Sequence, residues 1–170
     1  ILITSGGTSE KIDQVRSITN HSTGQLGKII SKRFLEAGFS VTLVTTPTAV
    51  QPKEHPHLRK IFIKDVAELQ TVLEKETPTH QVLIHAMAVS DYSPVYMSGF
   101  QAVKEASNLE HFLHQTNQES KISSEEDYQV LFLKKNPKLI SLVKTWNPDI
   151  RLIGFKLLVG VAQDQLLAVD

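Results

Sequence analysis

The sequence predicts an α/β fold, a mostly parallel sheet flanked by helices, and three observations carry the prediction. Residues 1–4 and 41–45 are short, β-branched, mostly apolar runs of the kind that form buried strands. Between them, residues 24–37 place Leu26, Ile29, Ile30, Phe34 and Ala37 at helical spacing. The alternation of strand-like and helix-like segments then continues along the chain, and strand, helix and strand in succession make a parallel crossover.

The elements follow in order. The first strand runs into Ser5-Gly6-Gly7-Thr8, and Asn20-His21-Ser22-Thr23-Gly24-Gln25-Leu26-Gly27 opens the first helix, with Ser22 or Thr23 as its expected cap. Gly38 sits where a left-handed residue ends a helix, and Thr46-Pro47-Thr48 punctuates the second strand. Residues 58–63 read as a third strand, 66–73 as a helix, and 82–86 as a buried strand leading into Val89-Ser90-Asp91-Tyr92. Residues 96–126 have no clean period, although 102–113 suits a helix and 116–126 is polar. The stretch 95–127 is therefore expected to be an insertion or flap. Residues 128–133 alternate like a strand, and Asn136-Pro137 supplies an N-cap followed by proline at the first helical position, with Leu139, Ile140 and Val143 facing inward. Asn147-Pro148-Asp149 turns the chain into a strand over 151–155, and a helix is expected over 160–169.

Composition bounds the rest. A chain of 170 residues, 41% apolar and 21% charged, suits a single globular domain over 1–170. Lys and Arg number 18 and so do Asp and Glu, so no bulk attraction to nucleic acid or an anionic membrane is expected. The absence of cysteine excludes disulfides, a thiolate metal centre and a cysteine nucleophile, and it fits a reducing, cytoplasmic setting. No apolar run approaches the roughly 18 residues of a membrane span.

A strand that empties into glycines, followed by hydroxyl residues at a helix start, builds an anion site from backbone N–H groups and the positive helix end. A phosphate-bearing ligand is expected. The dinucleotide fingerprint G-x-G-x-x-G is absent after the first strand, and Ser22 to Ile29 fails the P-loop pattern because Ser22 replaces its first glycine and Ile29 its Ser/Thr. The plainer reading is that the glycines make a turn and Ser22 only caps. Asn20 is harder to dismiss, because a side-chain amide beside an anion-binding helix can hydrogen-bond an acyl oxygen. Asp91 follows the carboxyl end of a strand, where ligands bind in open α/β sheets, and suits either a ligand hydroxyl or an Asx-turn. Lys121, in the polar flap, is placed to close over a polyphosphate. His55, His57, His111 and His114 lack the company of a metal site, adjacent Glu125 and Glu126 fit a solvated face, and no Ser-His-Asp order stands out.

These pieces together resemble phosphopantothenate-cysteine ligase (phosphopantothenoylcysteine synthetase) in its bacterial stand-alone form. The resemblance covers nearly the whole chain. It rests on Ser5-Gly6-Gly7-Thr8, Val15-Arg16 leading to the 20–27 stretch, Ala88-Val89-Ser90-Asp91-Tyr92, Lys121-Ile122-Ser123-Ser124, Asn136-Pro137 and Gly154-Phe155-Lys156-Leu157. It implies a modified Rossmann fold and the joining of 4′-phosphopantothenate to L-cysteine at the expense of a nucleoside triphosphate with magnesium. CTP is favoured over ATP, and the reaction passes through an acyl-nucleotidyl intermediate in coenzyme A biosynthesis. A homodimer is implied as well.

By position, the resemblance implies that Gly6, Ser22, Gly24 and Gly27 line the triphosphate. Asn20 contacts the acyl intermediate, and Lys121 neutralises phosphate charge. Asp91 meets the sugar, Met87 and Ala88 lie near phosphopantothenate, Phe155 packs on the base, and Pro137, Lys138, Leu139 and Ile140 present helix-start groups to it. No protein metal ligand is implied. Leu158 stands where the family has an acidic residue, the segment from Asp91 to Lys121 is longer than the family's, and the family continues beyond the position of Asp170, so an incomplete C-terminus is expected. Two other readings compete. One is a short-chain-dehydrogenase-like NAD(P) oxidoreductase, although its Tyr-x-x-x-Lys is missing because Tyr92 is followed four residues later by Tyr96. The other is a nucleotide-binding module without catalysis.

Overall fold

The computed structural model describes residues 1–116 and 126–156. Its centre is a five-stranded sheet built from β1 (Leu2–Gly7), β4 (Val41–Thr45), β5 (Leu58–Phe62), β6 (Val82–Ala88) and β9 (Arg151–Gly154). Every pairing is parallel and the spatial order is β5-β4-β1-β6-β9. This is the Rossmann-like α/β arrangement the sequence predicts. The order reverses direction between β1 and β6, and the crevice beyond the carboxyl ends of those two strands is where such sheets take ligands.

Helices cover both faces. Alternation along the strands sends Leu2, Val44, Leu83 and Met87 to one side, where they meet Val66, Leu69 and Leu73 of α2 (Val66–Glu76) and Leu139 and Val143 of α5 (Leu139–Trp146). Ile3, Val41, Leu43 and Ile84 point to the other, against Leu35, Ile30 and Phe34 of α1 (Gln25–Glu36). Each fully buried leucine or isoleucine contributes roughly 1.5–3 kcal/mol of burial. At the outer edge, Arg59 forks onto the buried Glu76 carboxylate, and this guanidinium holds the carboxyl below its usual range.

Gly38 ends α1 as expected. Its φ is +82°, its N–H donates to Leu35 O, and the Phe39 N–H donates to Phe34 O, which completes a Schellman motif with Phe34 and Phe39 in edge contact. The inward face of α1 differs from the expected one. Gly27, Ser31 and Leu35 are buried, whereas Leu26 and Ile29 are 45% and 48% exposed. Apolar spacing alone misplaces the stripe, because the first turn of α1 approaches β1 too closely for a large side chain: a Cβ on Gly27 would collide with Ser5 Oγ.

Three further differences concern segments outside the sheet. A small antiparallel pair, β2 (Ser9–Lys11) and β3 (Ser17–Thr19), fills the gap between the glycine turn and α1, with Asp13 of its connecting turn bonded to the Val15 and Arg16 N–H groups. At the expected flap, β7 (Tyr92–Gly99) pairs antiparallel with β8 (Gln129–Lys135) as a separate ribbon. Its side chains were unreadable as a strand because Pro94 and a register irregularity between Pro94 and Tyr96 break the alternation. The helix expected over 102–113 is two short ones, α3 (Phe100–Glu105) and α4 (Glu110–Leu113), and Phe112 of the second stacks on Phe132 and Tyr96 of the ribbon. Lys121 and the helix expected over 160–169 lie outside the described residues.

Candidate functional site

Two cavities open side by side at the carboxyl ends of β1, β6 and β9. The first, about 460 Å³, is bounded by Asp91, Pro137–Ile140 and Gly154. The second, about 560 Å³, is bounded by the stretch from Asn20 to Leu26 and by Ala86 and Ala88. His85, Met87, Phe155 and Lys156 line both. One continuous cleft thus runs from the start of α1 to the start of α5.

The α1 end is built from backbone. Gly24 takes φ +79° just before the helix, and a Cβ there would crowd Ala49 and Ser5. The Ser5 hydroxyl donates to Gly24 O at 3.0 Å, which ties the end of β1 to the helix start. Ser22 is not the cap: the helix begins after Gly24, and only the Thr23 hydroxyl accepts a helix-start N–H, that of Gln25 at 3.3 Å. The next N–H groups, of Leu26 and Gly27, have no intrahelical acceptor and carry the positive end of the helix dipole. Ser22 and Gly24 line this cavity, whereas Gly6 and Gly27 lie behind it, packed against Ala49 and Ser5.

Asn20 is fixed by hydrogen bonds to the end of β6. Its Nδ2 donates to Ser90 Oγ at 3.1 Å and reaches Ala88 O at 3.4 Å. Ser90 is held in turn: the Thr8 hydroxyl donates to its Oγ at 2.9 Å, and its own N–H donates to Thr8 Oγ1 at 2.9 Å. Met87 is 7% exposed on the shared floor, and Ala88 follows it at the strand end.

The α5 end is tied by side chains. Asn136 does not cap α5, which starts at Leu139. Its Nδ2 donates to Ser90 O at 2.9 Å, its Oδ1 lies 3.0 Å from Ser93 Oγ, and its N–H donates to Asp91 O. Ser93 Oγ also lies 2.7 Å from Glu10, whose other carboxylate oxygen accepts the Val66 N–H, so the ribbon root is bonded to β2 and to α2. Pro137, Lys138, Leu139 and Ile140 line the cavity at the start of α5, Asp91 stands at its rim, and Phe155 is 53% exposed over the junction.

Sequence reasoning missed four residues here. Thr8 and Ser90 were read only as parts of motifs, and their partnership, across 82 positions, left no local signal. Lys156 was read only as part of a motif. His85, 9% exposed, sits on the floor of both cavities with Nδ1 2.8 Å from Thr4 Oγ1, and burial pulls its pKa down to about 4. Among the described residues no group of three or more His, Cys, Asp or Glu side chains is arranged to hold a metal ion.

Residues 1–164 match the family model described as the DNA/pantothenate metabolism flavoprotein C-terminal domain. The chain belongs to this family. Among curated relatives, the coenzyme A biosynthesis bifunctional protein CoaBC of Thermococcus kodakarensis is 31% identical over 170 residues, covering 99% of this chain and 36% of that protein. Its namesake from Vibrio cholerae is 32% identical over 145 residues, covering 84% and 31%. The chain thus spans about a third of the length of these relatives. In the solved structures, the DNA/pantothenate metabolism flavoprotein from Streptococcus pneumoniae is 57% identical with a TM-score of 0.93, covering 98% of this chain and 73% of that one.

Proposed function

We propose that this family member joins the carboxylate of 4′-phosphopantothenate to the amine of L-cysteine with a nucleoside triphosphate, CTP before ATP, as a step of coenzyme A biosynthesis. The observation that carries the reading is the position of Asn20. Its amide is pinned where the helix-start cavity meets Met87 and Ala88 at the end of β6, between the groups suited to phosphate and the groups assigned to the acyl substrate. The names of the curated CoaBC relatives agree with it.

In the first step a phosphopantothenate carboxylate oxygen attacks the α-phosphorus, the α–β phosphoanhydride breaks and pyrophosphate leaves. The cysteine amine then attacks the acyl carbon, loses a proton, and expels the nucleoside monophosphate. The N–H group of Leu26, with Ser22 and Gly24, receives phosphate oxygens. Asn20 turns the N–H that reaches Ala88 O, the longer of its two bonds, onto the acyl oxygen as charge builds there. Asp91 accepts from the sugar, Phe155 stacks on the base, and the starting N–H groups of α5 address its edge. Lys121 neutralises charge on the phosphates. Magnesium belongs to the reading as a companion of the triphosphate, neutralising its charge. A cytoplasmic homodimer completes the reading, and light scattering tests the dimer.

The deciding assay mixes the protein with phosphopantothenate, cysteine, magnesium and CTP, with ATP in a parallel arm. Pyrophosphate release that requires phosphopantothenate is the expected result. Its absence with both nucleotides overturns the reading.

A further inference from the structure

His85 lies one register step inside the cleft. It pairs with Thr4 on β1 and with Gly154 on β9. On one side the ring has a hydrogen-bonding partner. On the other the neighbouring strand has no side chain, and the space beside the ring becomes cavity, roofed by Ile140 and Phe155.

The tautomer follows from the pairing. Thr4 is fully buried, and among the described residues its hydroxyl has one partner, His85 Nδ1 at 2.8 Å. A buried hydroxyl proton needs an acceptor, so Thr4 donates to Nδ1 and the single ring proton resides on Nε2. That N–H has no hydrogen-bond partner among the described residues and is not sealed from the cavity. Burial also keeps the ring neutral across physiological pH. A neutral, fixed donor therefore points out of the floor where the two cavities join.

We propose that His85 is a nucleotide-positioning residue whose Nε2–H donates to an oxygen in the sugar–α-phosphate link. The inference rests on the nucleotide reading above. In that reading the phosphates lie toward α1 and the base toward α5. The floor formed by His85 and Met87, which both cavities share, then lies beneath the link between them. The hydrogen bond is made equally in ground and transition state, so it serves binding more than turnover.

Two substitutions separate this role from a structural one. His85→Asn keeps an acceptor for Thr4 but loses the outward donor; His85→Gln carries an N–H to the Nε2 position. With the purified full chain, titration calorimetry should show His85→Asn weakening CTP by about five- to tenfold, as expected for one lost hydrogen bond. It should weaken CMP by the same factor, because both contain the link. His85→Gln should stay within about threefold of the parent. In turnover, His85→Asn should raise the nucleotide KM and leave kcat within about twofold.

Unchanged CTP affinity in a folded His85→Asn protein overturns the inference and leaves the ligase reading intact. So does a loss seen with CTP and not with CMP, which would put the contact on the outer phosphates. If the parent binds neither CTP nor ATP, the nucleotide reading falls and takes the inference with it.

Discussion

The two ends of the cleft are each bounded by a helix start, yet they are held by different means. At α1 the restraint is close packing: Gly24 and Gly27 bring backbone against Ser5 and Ala49 with no room for a side chain. At α5 the restraint is a chain of side-chain hydrogen bonds, Asn136 to Ser90 and Ser93 to Glu10, that gathers segments far apart in sequence. The α1 end is rigid because atoms are already in contact, whereas the α5 end is only as firm as its polar partners. Ser90 belongs to both, since Asn20 and Asn136 each donate to it. A ligand spanning the cleft is thus gripped by one fixed and one adjustable wall.

The sharpest way to break this contrast is at Asn20. Replacing its amide by a carboxylate removes the donor and sets a negative charge beside the developing oxyanion. Asn20→Asp is expected to slow amide formation on the order of a hundred- to a thousandfold, with pyrophosphate release partly retained. Quench-flow separation of the two half-reactions checks it, and equal loss in both would deny Asn20 a role confined to the acyl step. Gly27→Ala tests the packed wall. Its new Cβ collides with Ser5 Oγ and Cβ, so denaturant unfolding should show a loss of about 1–3 kcal/mol. Adding Ser5→Gly, which removes both colliding atoms, should restore much of it.

The same contrast explains what could be read in the sequence. Backbone-built features leave a signature in residue type: Gly38 marks a helix end and the β-branched runs mark β1 and β4, all found in place, whereas Gly24, read as the first helical residue, makes the left-handed turn just before α1. Features tied by side chains left little. Asn136-Pro137 has the composition of a helix start, but the Asn136 amide is spent on Ser90, 46 residues away, so local capping logic lost to a long-range bond. His85 sits in an apolar run that reads as a plain buried strand, and only the register opposite Thr4 and Gly154 gives it a task. The exposed Leu26 and Ile29 mislead for the opposite reason, because α1 buries its small residues to approach β1 closely.

The adjustable wall is tested by Asn136→Ala, which unties Ser90 and the ribbon root together. A cost of about 1–2 kcal/mol is expected in denaturant unfolding. Faster amide exchange at the root of β7 and β8 should accompany it, with α1 unaffected. Equal exchange gains at α1 and at the ribbon would show that the two walls are one cooperative unit.

The smallest effect expected comes from the floor the walls share. Burial lowers the pKa of His85 from 6.5 to about 4 in the folded state, so between those values the unfolded chain binds more protons than the folded one. Stability from this residue is therefore complete above the unfolded pKa and declines as pH falls through the window. From about pH 7 to about pH 5.5 the loss amounts to about 1 kcal/mol. Other groups titrate over the same range, so the informative quantity is the difference between the parent and His85→Gln, which cannot take up a proton there. Urea midpoints for the two proteins should diverge toward neutral pH, with the parent gaining more. Parallel pH profiles would mean that the ring reaches enough water through the cleft to titrate normally, and the floor would then be as adjustable as the α5 wall.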